Sequence, residues 1–161
     1  MTMLPELASL LAALDHQLSL LRQLSAELVA CRPAFGTMNL EAIYSHISAQ
    51  AAICEKLQRA EEERASAWQK ASLKLDRPSV NGDLRRWVDV LEQDMVDRFR
   101  RVLTELALAE GEVRRLNQIH TVLVDGSRRT LNVLANALSA FSPTYTLPPA
   151  ILPVLGQRSL P

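Results

Sequence analysis

Residues 83–141 read DLRRWVDVLEQDMVDRFRRVLTELALAEGEVRRLNQIHTVLVDGSRRTLNVLANALSAF, a stretch without a single proline. Within it Leu84, Val88, Leu91, Met95, Phe99, Val102, Leu106, Ala109, Val113, Leu116, His120 and Leu123 recur at steps of three and four, followed by Leu131, Leu134, Leu138 and Phe141. That spacing keeps side chains on one face of an α-helix, and no segment shows the strict alternation of a half-buried strand. The stretch therefore predicts one long amphipathic helix. Gly111 and Gly126 each cost about 1 kcal/mol relative to alanine inside a helix. Since the rhythm also slips at Gly126 and Ser127, any bend or break is expected near Asp125–Ser127.

Working outward, the prolines divide the rest of the chain. They stand at Pro5, Pro33, Pro78, Pro143, Pro148, Pro149, Pro153 and Pro161, and proline in a helix interior costs about 3 kcal/mol or more. Ahead of Pro33 the seam Leu4, Leu7, Leu11, Leu14, Leu18, Leu21, Ser25, Leu28 is widened by Leu10 and Leu24. Between Pro33 and Pro78 the same rhythm runs through Leu40, Ile43, Ile47, Gln50, Cys54, Leu57, Glu61, Arg64 and Trp68. Gly36 and Gly82 mark the connecting turns. The expectation is an all-α fold with helices over about 5–31, 39–76 and 83–141. Short turns make it an elongated antiparallel three-helix bundle or coiled coil, residues 1–141 forming one domain and 142–161 a flexible, proline-rich tail.

Composition points the same way. The chain is 48% hydrophobic but only 4% aromatic, which favours helix seams over a thick globular core. Its 18 basic and 18 acidic side chains cancel, so nothing calls for a nucleic acid or an anionic membrane as partner. The leucine-rich residues 4–30 carry Glu6, Asp15, His16, Arg22 and Glu27 and lack a basic leader, so neither a signal peptide nor a membrane span is expected there. Cys31 and Cys54 would lie roughly 20 Å apart along adjacent helices, too far for a disulfide, and are read as reduced thiols of a cytoplasmic protein.

No catalytic or metal constellation emerges. His16, His46 and His120 fall on three helices without a paired ligand motif, and the chain has no phosphate-binding loop, nucleophile elbow or cysteine beside a plausible base. Neither an enzyme nor a cofactor is expected. Trp68 and Trp87 flank the second turn, where large aromatics seal a bundle end.

The helix lengths do carry a functional expectation. At 1.5 Å per residue they come to roughly 40, 57 and 88 Å, so a second helix returning along the third reaches only to about His120. Residues 121–141 are left without a companion while carrying Val122, Leu123, Leu131, Val133, Leu134, Leu138 and Phe141. Burying such a strip is worth on the order of 10 kcal/mol gross, so a cover is expected. Three covers fit the pattern: another protein, a second copy in a homo-oligomer, or the same chain folded back at Gly126.

The third helix also carries Val113-Arg114-Arg115-Leu116-Asn117-Gln118, then Leu123-Val124-Asp125-Gly126-Ser127, then an amphipathic run ending in Pro143-Thr144-Tyr145. This resembles the FlgN-type flagellar export chaperones, in which a leucine-asparagine-glutamine step precedes an apolar helix and a short tail with a tyrosine. Residues Gln50 to Arg64 are similar to that family's midsection. His120 stands where the family often has a second asparagine, and Thr146 where a glycine is usual. The resemblance implies a chaperone that binds the C-terminal helices of hook-filament junction proteins, prevents their premature assembly and delivers them to the type III export apparatus. It makes Leu116, Asn117 and Gln118 the motif residues, and Leu123, Leu131, Leu134, Leu138 and Phe141 the client-binding side chains. Tyr145 becomes the contact to the export gate. The alternative is a structural or adaptor coiled-coil protein that homo-oligomerises through its C-terminal helix.

Overall fold

In the computed structural model residues 4–79 and 82–141 are described, and every regular element among them is helical. The order is α1 (Pro5–Ala30), α2 (Arg32–Gly36), α3 (Leu40–Lys74) and α4 (Gln93–Phe141). Pro5 opens α1, where a missing N–H costs nothing, and Glu6 complements the positive end of the helix.

The connection expected as an open turn after residue 31 contains the short helix α2. It closes when the Met38 N–H donates to the Phe35 carbonyl and the Asn39 N–H to the Ala34 carbonyl, with Met38 left-handed at φ 53°. The Asn39 side chain then accepts from the Ala42 N–H at 3.1 Å and starts α3. The end of α3 repeats the device with Asp76 at φ 50°, the Asp76 and Arg77 N–H groups reaching the Leu73 and Ser72 carbonyls. Among the described residues the non-glycine left-handed positions are thus Met38 and Asp76, while Gly36, read as the turn residue, is helical.

The last helix begins later than its periodicity implies. Residues 83–92 form successive turns, in which the Trp87 and Val88 N–H groups donate to the Leu84 carbonyl and those of Val90 and Leu91 to the Trp87 carbonyl. Tertiary packing accounts for the difference. The Trp87 indole donates to the Arg77 carbonyl at 3.1 Å, stacks on Trp68 at 4.6 Å and meets Phe99 edge-on at 6.2 Å. Leu84 and Leu91 pack on the same cluster, so their apolar spacing serves this cap instead of another helical turn. Trp68 and Trp87 are both fully buried and close this end of the molecule, as the sequence suggests. From Gln93 onward α4 is continuous through Gly111 and Gly126, without the break considered at Asp125–Ser127.

Three helices pack on one another, with α1 between α3 and α4. Its first four turns, Leu7 to Leu21, share a cluster with Ala67, Trp68 and Ala71 of α3 and Phe99 and Leu106 of α4. Further along, Leu24 and Leu28 meet Leu116, with Ile53, Leu57 and Val113 around them. A third cluster joins Cys31, Ala34, Phe35 and Ile43 to Leu123 and Val124.

The charged faces follow helix spacing. Arg59 pairs with Glu55, Arg64 with Glu61, Arg100 with Asp97, Arg114 with Glu110 and Arg115 with Glu112. Arg22 of α1 reaches Glu105 of α4 at 2.8 Å, but on an exposed surface where such a bond contributes at most about 1 kcal/mol. Apolar burial therefore dominates the energetics. Leu14→Ala at a fully buried site is expected to destabilise by about 2–5 kcal/mol. Leu138→Ala on the exposed end of α4 should stay within about 0.5 kcal/mol, both read by urea denaturation.

Candidate functional site

Helix α4 has 49 residues against 26 in α1, and α1 ends at the α2 connection. What that connection covers sets where α4 becomes free. Phe35 lies edge-on to the His120 ring at 5.4 Å and 82°, and its cluster takes in Leu123 and Val124. Residues 125–141 belong to none of the three core clusters, a projection of about 25 Å at 1.5 Å per residue.

On that projection Leu134 and Leu138 are 52% and 56% exposed and Leu131 is half-buried. At spacings of three and four these leucines share one face, continuing the seam that Leu116, His120 and Leu123 bury further back. The structure thus separates the residues that the sequence groups. Leu116 is a core side chain against Leu24 and Leu28, whereas Asn117 and Gln118 are exposed. Leu123 is half-buried in the Phe35 cluster, so it belongs in part to the bundle. Val122 and Val133, 71% and 67% exposed, lie more than about 100° round the helix from the leucine seam and do not join its strip. Phe141 ends α4 and its side chain falls outside the described residues, as do Tyr145 and the whole of 142–161.

Folding back at Gly126 is not what the chain does. Gly126 sits in continuous helix with open space around it, its carbonyl accepting from the Thr130 hydroxyl at 3.1 Å. Sequence spacing alone does not expose one further feature: Leu40 and Tyr44, one helical turn apart at the start of α3, are also exposed at the bundle end from which α4 emerges. Tyr44 stands off the seam, which was the available signal.

The polar groups at this junction are arranged for packing. Glu27 pairs with His46 Nδ1 between α1 and α3. Burial pushes the Cys31 thiol above its ordinary pKa, with the neighbouring Gln50 amide working in the other direction. Cys54 is free and exposed, Cys31 free and buried. No group of three or more His, Cys, Asp or Glu that would hold a metal occurs among the described residues. No helix among them is long and apolar enough to cross a membrane. The available chemistry is that of an apolar helix face held out from a rigid body.

The chain matches no protein-family model, no curated protein and no solved structure.

The junction itself should respond to pH. Burial against Phe35 lowers the His120 pKa below its ordinary 6.5, and Nδ1 has no hydrogen-bond partner. The folded state therefore favours the neutral ring. Its contribution is intact above the unfolded-state value of about 6.5 and is lost as pH falls from there through the lowered folded-state value. A His120→Gln variant is expected to lose less stability than the parent between pH 7.5 and pH 5, measured as the difference in unfolding midpoints.

Proposed function

We propose that this chain is a helix-holding protein: an elongated antiparallel three-helix bundle whose last helix projects beyond the others and binds an apolar helix of another protein. The single observation that carries this reading is the exposed face of Leu134 and Leu138, with Leu131, on a projection that none of the three core clusters of the described residues covers. An exposed seam at i, i+3 and i+7 is the form in which one helix recognises another.

Magnitudes favour a reversible holder over a permanent assembly. Burying the three leucines contributes on the order of 5 kcal/mol gross, since part of Leu131 is already covered. Association itself costs at least about 4 kcal/mol. A contact of this size is worth making and easily undone, which suits a carrier that must surrender its cargo.

The particular carrier we propose is a cytoplasmic flagellar export chaperone for hook-filament junction proteins. What supports this step is the resemblance of Leu116-Asn117-Gln118 and the amphipathic run after Asp125 to the FlgN-type family. In that reading Leu116 is a core anchor that fixes the register of α4, and the client lies along Leu131, Leu134 and Leu138. Tyr145 meets the export gate, and release follows when a competing contact wins. No cofactor takes part.

The chain is expected to co-purify with the C-terminal segments of hook-filament junction proteins. Truncation after Asp125, or the pair Leu134→Asp and Leu138→Asp, should abolish capture while leaving the helical circular dichroism of the bundle in place. Capture retained by both variants would remove α4 as the client site.

A further inference from the structure

Charge tells what kind of helix fits the strip. Along the bundle part of α4 arginines alternate with acids: Arg100, Arg114 and Arg115 are each paired with an acid three or four residues away, and Arg98 and Arg101, which make no ion pair, stand among the same acids. The projection differs in having no acids of its own. Arg128 and Arg129 are exposed and make no ion pair, although Asp125 stands at helical spacing from both. Past Asp125, residues 126–141 contain these two arginines and no acid.

Position matters as much as sign. With Leu131, Leu134 and Leu138 as the seam, Arg128 falls about 100° from its centre. That is the flanking position at which paired helices exchange charges and which sets the choice of partner. Arg129 lies further round, on the back of the helix. A second copy of the chain is a poor occupant, since two such projections laid together set an Arg128 from each copy at the flanks of the seam, with no side-chain carboxylate between residues 126 and 141 to answer either. Like charges so placed disfavour self-pairing and select against it.

Resting on the helix-holding reading, we infer that the strip takes a helix of a different protein, one whose apolar seam is flanked by Asp or Glu set to meet Arg128. The apolar face supplies the affinity. The carboxylates supply encounter rate and discrimination, which makes the interaction dependent on salt.

Three helical peptides of roughly 18 residues decide the matter. They share one leucine seam and carry Glu, Gln or Lys at the flanking positions, and their affinity for the full chain is measured by fluorescence anisotropy at low and high ionic strength. The Glu peptide is expected to bind about two- to five-fold tighter than the Gln peptide, the scale of one exposed ion pair, and the Lys peptide more weakly still. The spread should shrink at high salt, and Arg128→Glu should reverse the order. Equal binding of all three peptides overturns the charge inference and leaves helix holding intact. Binding of none overturns both. A chain that sediments as a dimer through Leu134 and excludes every peptide also overturns the inference, because the strip would then have chosen itself.

Discussion

The leucines of α1 are spread too widely round that helix for one neighbour to cover them. Leu10, Leu14, Leu20 and Leu21 are all buried, and burial so broad needs α3 and α4 together. α1 consequently becomes the central rod, and its length limits how much of its neighbours is protected. At one end Trp68 of α3 stacks on Trp87 within the cluster that the start of α1 shares, and at the other α2 extends the cover by a single short helix. Beyond Val124 none of the three core clusters of the described residues reaches α4.

Much of this was legible because proline placement and three-four spacing are local signals. They located three long helices to within a few residues, except at the start of the last one. Residues 83–92 carry the right apolar spacing, yet the Trp87 indole bonds to Arg77 and stacks on Trp68, a contact made across the turn that no local pattern encodes. The left-handed residues Met38 and Asp76 escaped notice for a related reason. The helix-ending hydrogen bonds demand that backbone shape wherever the chain must reverse, and glycine is only its commonest occupant.

The candidate site was legible in position and blurred in composition. Length arithmetic found the free end of α4, because helix rise is nearly invariant. Counting apolar residues then included Val122 and Val133, which helix geometry assigns to another face. It also included Leu123, which the Phe35 cluster holds in part. In the sequence Arg128-Arg129 looks like Arg114-Arg115, another arginine pair on the same helix. Only the absence of an ion pair in the folded chain distinguishes them from Arg114 and Arg115.

The edge-on contact of Phe35 with His120 gives the projection a fulcrum. Load applied at Leu138 acts on a lever of unbroken helix, and the first joint to feel it is the small aromatic contact where α2 clasps α4. A pull on the far end of α4 would thus reach the α2–α4 contact before Leu14 or Phe99. A handle that yields at its root protects the body of the molecule from the pull.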